Sequence, residues 1–229
     1  MFWLYDPTFI ILLPALILSI YASWKVRSTF NYFAQIPNSH GITGAEAGKL
    51  LLRALGLYDV KIELVPGSLT DHYDPRTKTL RLSEPVFYSP SISALGVCAH
   101  EIGHAIQHNT GYLPLALRSS LVPIASIGTN MAFPLFFIGF LFGSPSLMNI
   151  GILAFSLGVL FYLITLPVEI NASKRAQEIL LSSGLITTKE AEGVKAVLNA
   201  AALTYLAAAA MALLQLLRLI ILANMRRRD

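Results

Sequence analysis

The chain has few charged side chains: Asp, Glu, Lys and Arg make up only 13% of its 229 residues. A soluble domain of this length carries about 25%. The deficit is concentrated in a few long apolar runs, and 55% of all residues are hydrophobic. This distribution excludes an ordinary soluble domain and is typical of an integral membrane protein.

The chain also has only one cysteine, Cys98, which excludes an intramolecular disulfide. Its net charge is +4 and its basic residues are scattered, so we expect no nucleic-acid partner. The N-terminal apolar run has no positive charge ahead of it, since Lys25 and Arg27 follow it. We therefore interpret this run as a membrane span and not as a cleaved secretory signal.

Four apolar segments come close to the roughly 20 residues that a membrane-spanning helix needs. These segments are residues 7–24, 121–142, 147–168 and 200–223. The second and third are separated by the turn-forming sequence Gly-Ser-Pro-Ser, which predicts a helical hairpin. The sequence therefore predicts about four transmembrane helices embedded in a lipid bilayer.

The distribution of basic residues predicts which side the polar parts face. If all four segments cross, residues 25–120 and 169–199 lie on the same side and hold 13 of the 17 Lys and Arg residues. The positive-inside rule makes this side cytoplasmic and places the chain in the cell membrane as a multi-pass protein. Arg218, inside the fourth segment, and the C-terminal sequence Met-Arg-Arg-Arg-Asp do not fit this rule.

The polar stretch after the first segment has mixed helix and strand character. Thr43 and Glu46 form a capping box that opens an amphipathic helix. Apolar and polar residues alternate, as they do in strands, in Val-Lys-Ile-Glu-Leu-Val and in Lys-Thr-Leu-Arg-Leu-Ser. Residues 74–77, between the two, are typical of a turn. Residues 91–109 have the periodicity of a helix, which contains the most informative sequence of the chain.

That sequence, Gly-Val-Cys-Ala-His-Glu-Ile-Gly-His, contains a His-Glu-x-x-His motif. On a helix His100 and His104 face the same way, so both imidazoles can bind one metal ion. Glu101 is rotated by about 100° and can reach a water at the metal without being a ligand. A catalytic zinc ion needs a third protein ligand and one open position. Glu169 follows the third apolar segment on the same predicted side and is a candidate for that ligand.

Three segments resemble a known family. They are similar to segments of membrane-bound neutral zinc metallopeptidases of the YugP-like type. The three segments are Cys-Ala-His-Glu-Ile-Gly-His-Ala-Ile-Gln-His, the upstream stretch from Asp71 to Phe87, and Leu-Pro-Val-Glu-Ile-Asn-Ala-Ser-Lys-Arg-Ala. More distantly the chain resembles the HtpX and CAAX prenyl protease group. The resemblance implies that Glu169 is the third zinc ligand. In the HtpX group an Asp orients a ligand histidine, but residue 173 is Ser here, so that carboxylate is missing or is replaced by Asn171.

The sequence and the resemblance together predict a mainly α integral membrane protein with a small α+β zincin-like protease domain between its first and second transmembrane helices. The expected function is hydrolysis of peptide bonds in membrane or membrane-proximal proteins, with one Zn²⁺ per chain and Glu101 as the general base and acid. The expected regions are a transmembrane helix (1–27), a catalytic region (28–120), a helical hairpin (121–168), a third-ligand helix with a connecting helix (169–199), and a membrane helix with a basic tail (200–229).

Several alternatives stay open from the sequence. The chain could instead be a non-catalytic membrane scaffold that binds zinc for folding, although such sites usually have four ligands, often thiolates. Within enzymes, cleavage of lipid-modified peptides is a further possibility. His72, Tyr73 and Tyr112 are candidates for stabilising an oxyanion, and His108 is expected to have a structural role. Residues 80–82 are a candidate edge strand for pairing with the substrate backbone.

Overall fold

The computed structural model describes residues 7–226, and within them the chain is mainly helical. It forms two compact units. One contains the described residues 7–22, 116–167 and 204–226, and the other contains residues 23–115 and 168–203. Four helices contribute residues to both units, so the division follows packing and not the order of the secondary-structure elements.

Four helices are long and apolar enough to cross a membrane. The first candidate span joins a 3₁₀ helix, Pro7–Leu12, to α1, Leu13–Ala34. The others are α5, Leu113–Leu141; α6, Pro145–Ser182; and α7, Thr188–Arg226. Each of the four predicted apolar segments lies largely within one of these helices, and each helix extends beyond its segment.

Helix α6 differs from the sequence prediction in one respect. The residues after the third apolar segment were expected to form a separate short helix, but α6 continues without interruption to Ser182. Nothing between residues 169 and 182 breaks a helix, because the stretch contains neither Gly nor Pro. Pro167 is accommodated inside the helix. Glu169 therefore belongs to the same helix as the apolar segment before it.

In the unit that contains residues 116–167, α5 and α6 pack closely. A Cβ atom added at Gly151 would lie 2.7 Å from the backbone nitrogen of Phe136 and 2.8 Å from the carbonyl oxygen of Ala132. Both neighbours are backbone atoms and cannot rotate away. Phe136, Ala132 and Met148 are buried in the same cluster. Small residues at such contacts allow the close helix packing that is common in membranes.

The same unit also contains the basic side chains that do not fit the positive-inside rule. The Nε of Arg218 donates to the hydroxyl oxygen of Thr8 at 3.2 Å, and its guanidinium lies over the ring of Phe9. The Nε of Arg226 donates to the carbonyl oxygen of Phe140 at 3.2 Å. Both charges thus have partners inside this unit. Residues 227–229 of the predicted basic tail lie outside the described residues.

The second unit contains the α+β part of the chain. Its elements in order are α2, Gly44–Ala54; β1, Lys61–Val65; β2, His72–Asp74; β3, Thr79–Ser83; α3, Glu84–Phe87; and α4, Ile92–Asn109. The strands form one sheet in the order β1-β3-β2, with β1 parallel and β2 antiparallel to β3. The capping box of Thr43 and Glu46 is present at the start of α2.

The predicted edge strand is in fact the central strand. Leu80 pairs with Ile62 of β1 on one side and with Tyr73 of β2 on the other. The expectation that residues 80–82 pair with a substrate is therefore wrong, because both neighbouring positions in the sheet are already filled. Periodicity predicted this strand correctly but could not give its position in the sheet. That position depends on the pairing with β2, which has only three residues and is too short to detect from the sequence.

The hairpin packing predicts that Gly151→Ala destabilises the protein. The added methyl group would force the α5 and α6 backbones apart, which we expect to cost about 1–3 kcal/mol and to lower the melting temperature in detergent. Leu153→Ala is the matched control, because Leu153 is 67% exposed and its change should be within about 0.5 kcal/mol of wild type. Equal melting temperatures for Gly151→Ala and wild type would contradict the close contact.

Candidate metal centre

The helix with the His-Glu-x-x-His motif is fixed by its N-cap and by its apolar face. The side-chain oxygen of Ser91 accepts a hydrogen bond from the backbone N–H of Ala94, which caps α4 where the sequence predicts. The apolar face of α4 is completely buried in the core of this unit, through Leu95, Cys98, Ala99 and Ile102. This packing leaves His100 and His104 together on another face, where their ring centroids are 4.8 Å apart.

Glu169 of α6 completes a cluster of three possible metal ligands with these two histidines. Its Oε2 atom lies 3.2 Å from Nε2 of His100 and 3.5 Å from Nε2 of His104. Two donors that are each about 2.0–2.1 Å from a tetrahedral zinc ion lie about 3.3 Å apart, so these distances fit such an ion. Two imidazoles and one carboxylate are also a donor set that zinc uses with a fourth position open.

The electrostatics of the cluster favour a cation. Glu169 is only 2% exposed. Burial disfavours the charged form of His104, but the neighbouring carboxylates of Glu169 and Glu101 outweigh this effect and raise the pKa of His104 above its usual value. The same carboxylates would also attract a metal cation that replaces the proton on the ring nitrogen.

Glycine at position 103, inside the motif, allows α6 to approach α4. A Cβ atom added at Gly103 would lie 2.5 Å from the carbonyl oxygen of Ala172 and 3.1 Å from its Cα. Ala172 is itself fully buried, so the two helix backbones are in direct contact there. This contact lies one turn from Glu169 and brings the carboxylate within reach of both histidines.

Glu101 lies beside the cluster and is not part of it. It is 8% exposed, and its Oε2 accepts a hydrogen bond of 3.0 Å from the backbone N–H of Tyr73 in β2.

The loop before β2 is held by Asp71, which accepts hydrogen bonds from the backbone N–H and the hydroxyl of Ser83. Burial raises the pKa of Asp71, these two hydrogen bonds oppose the rise, and the Glu101 charge adds to it. Asp71 was not identified from the sequence.

Each of the two histidines has a second hydrogen-bonding partner, and neither partner is a carboxylate. Nδ1 of His100 lies 3.2 Å from the hydroxyl of Ser173, and Nδ1 of His104 lies 3.0 Å from Oε1 of Gln107. Asn171, the alternative that the sequence offered, contacts Gln107 instead of a histidine. Gln107 was not identified from the sequence, although its position three residues after His104 on the same helix was an available signal.

The other candidate residues lie outside the ligand cluster. The Tyr73 hydroxyl and Nδ1 of His108 are 3.0 Å apart, and Nδ1 of His72 lies 2.8 Å from the carbonyl oxygen of Thr70. The ring of Tyr112 lies under the guanidinium of Arg175. Cys98 is fully buried in the apolar core, and this burial raises the pKa of its thiol.

Comparison with known proteins assigns the chain to a family. A family model described as "Putative neutral zinc metallopeptidase" matches residues 8–224. The chain belongs to this family. It is 49% identical to the "Putative membrane protease YugP" of Bacillus subtilis (strain 168) over 210 residues, which cover 92% of this chain and 93% of that protein. No solved structure matches the chain. The resemblance to the YugP-like family is thus confirmed.

Two glycines of α4 allow a direct test of the α4–α6 contact. Gly103→Ala should destabilise the protein by about 1–3 kcal/mol and weaken zinc binding, because its methyl group would push the Ala172 backbone away. Gly96→Ala is the matched control, since its methyl group would meet Val194 at an ordinary 3.5 Å. The control should gain up to about 1 kcal/mol from helix propensity.

Melting temperature in detergent and competition with a zinc chelator measure the two effects. If Gly103→Ala is as stable as Gly96→Ala and binds zinc as tightly as wild type, the backbone contact does not position the carboxylate.

Proposed function

We propose that this protein is a zinc-dependent metallopeptidase of the cell membrane that hydrolyses peptide bonds of membrane or membrane-proximal proteins. The observation that carries the proposal is the buried cluster of His100, His104 and Glu169, next to a glutamate that is not a ligand. One cluster of this kind in the described residues corresponds to one zinc ion per chain. Membership of a zinc metallopeptidase family supports the same activity.

The residues have distinct roles in the proposed reaction. A zinc ion held by His100, His104 and Glu169 would supply Lewis acidity to a water molecule and to the substrate carbonyl. Glu101 accepts the proton of the attacking water and then donates it to the leaving amine. The backbone N–H of Tyr73 holds one Glu101 oxygen, so the carboxylate cannot rotate freely before the substrate arrives.

Three observations support the membrane as the place of action. Four helices are long and apolar enough to span a membrane. The relative from Bacillus subtilis has the name of a membrane protease. Glu169 follows the apolar run of α6 directly in sequence, which suggests substrates that are themselves at the membrane. A cytoplasmic catalytic side is proposed from the 13 of 17 Lys and Arg residues on that predicted side.

The first test compares zinc content and peptidase activity of the purified protein in detergent. Glu101→Gln should keep its zinc and lose activity about 10²- to 10⁴-fold, because only the proton acceptor is removed. Glu169→Ala should lose both zinc and activity. Glu178→Gln is the control, since this exposed glutamate is on the same helix as Glu169 and should change neither quantity.

Two results would contradict the proposal. Full activity in Glu101→Gln would exclude this glutamate as the general base. Zinc binding without cleavage by the wild-type protein, tested with unfolded and membrane-protein substrates, would favour the non-catalytic scaffold.

Single-cysteine labelling tests the proposed orientation. The native Cys98 is buried and does not compete for reagent. A cysteine at the exposed position Arg76 should react with a membrane-impermeant maleimide only after the cells are permeabilised. A cysteine at the exposed position Ser146, in the first turn of α6 and between the second and third predicted apolar segments, should react in intact cells. The reverse pattern would place the catalytic side outside the cytoplasm.

A further inference from the structure

We propose that Gln107 is a positioning residue that fixes the ring tautomer of His104, and that Asn171 and Arg175 in turn fix the orientation of Gln107. The inference rests on the proposed function, because it assigns His104 as a zinc ligand. It concerns a chain of hydrogen bonds in which only one assignment of donor and acceptor is possible for each bond. The chain leads from the half-buried Arg175 on α6 to the ligand cluster.

The chain begins at a group that can only donate. The Nε of Arg175 lies 2.9 Å from Oδ1 of Asn171, and a guanidinium has no acceptor atom. Asn171 must therefore turn its oxygen, and not its NH₂ group, toward Arg175. The ring of Tyr112 lies against the guanidinium, with its centroid 6.0 Å from the central carbon of Arg175, and helps to hold it in place.

The orientation of Asn171 determines the orientation of Gln107. The Nε2 of Gln107 lies 2.9 Å from the same Oδ1 of Asn171 and 2.8 Å from the backbone carbonyl oxygen of Val168. Both partners are acceptors, so the Gln107 NH₂ group must face them. A flipped amide would place its oxygen against two other oxygens in a site where Gln107 is 0% exposed, and no water could relieve the repulsion.

The orientation of Gln107 determines the tautomer of His104. Its remaining atom, Oε1, lies 3.0 Å from Nδ1 of His104 and can only accept a hydrogen bond. Nδ1 must therefore carry the proton. The lone pair of the neutral ring is then on Nε2, the atom that lies 3.5 Å from the Glu169 carboxylate in the ligand cluster. A metal ion that binds at Nε2 then needs no change of tautomer and displaces only a proton that the Glu169 carboxylate holds there.

His100 has no such constraint. Its Nδ1 contacts the hydroxyl of Ser173, which can either donate or accept. The amide chain also differs from the usual carboxylate partner of a zinc-bound histidine, because it orients the ring without adding a negative charge. We infer that His104 is the preorganised ligand and that His100 adapts to the ion.

The affinity for zinc, measured by competition with a zinc chelator, tests this chain of hydrogen bonds. Gln107→Met removes all three hydrogen bonds and should weaken zinc binding about 10- to 100-fold, the usual effect of losing an outer-shell partner. Asn171→Leu should also weaken binding. Asn171→Asp should stay close to wild type, because a carboxylate still accepts from both Arg175 and Gln107.

Nitrogen-15 NMR of histidine-labelled protein without metal provides a second measurement, which observes the tautomer of the wild-type protein directly. At a pH where the rings are neutral, the His104 signals, assigned with His104→Gln, should show a protonated Nδ1 and an unprotonated Nε2. In Gln107→Met we expect a mixture of the two tautomers. A protonated Nε2 in the wild type would overturn the proposal, as would equally weak zinc binding by Asn171→Asp and Asn171→Leu.

Neither measurement depends on catalysis. If the wild-type protein binds zinc with the expected tautomer but cleaves no peptide, the proposed function fails and the role of Gln107 stands. If peptides are cleaved but the tautomer is the opposite one, the role of Gln107 fails and the proposed function stands.

Discussion

The contact between the backbones of α4 and α6 at Gly103 is the constraint on which the ligand cluster depends. Glu169 is a nearly fully buried carboxylate, and burying such a group is unfavourable unless opposite charges or hydrogen-bond donors surround it. Here the partners are two imidazoles that belong to a different helix. They reach the carboxylate only because residue 103 has no side chain and Ala172 has a small one. Packing and electrostatics are therefore inseparable at this site.

Local patterns in the sequence predicted much of the structure. The N-cap at Ser91, the capping box at Thr43 and the alternation in β1 and β3 depend on residues that are close in the chain. The spacing of His100 and His104 depends only on the geometry of one helix. The family resemblance added the third member of the cluster, Glu169, which spacing alone made only a candidate.

Most of the features that the sequence did not reveal depend on contacts between distant segments. The central position of β3 follows from its pairing with β2, which is too short for periodicity to indicate. Ser173 was not recognised as a partner of His100 because the approach of α6 to α4, which no local pattern encodes, brings the two together. Gln107 lies on the same helix as His104 and was missed because an amide can bond to many neighbours.

The hydrogen bond from Tyr73 to Glu101 also affects how easily a second molecule can pair with the edge of the sheet. An edge strand with unpaired amides is a site where a second molecule can add a strand and start aggregation. Strand β2 is an edge strand, but it has only three residues, Pro75 follows it, and the Tyr73 amide is already engaged by Glu101. Glu101, the proposed general base, therefore also hinders pairing between copies of the protein at this edge.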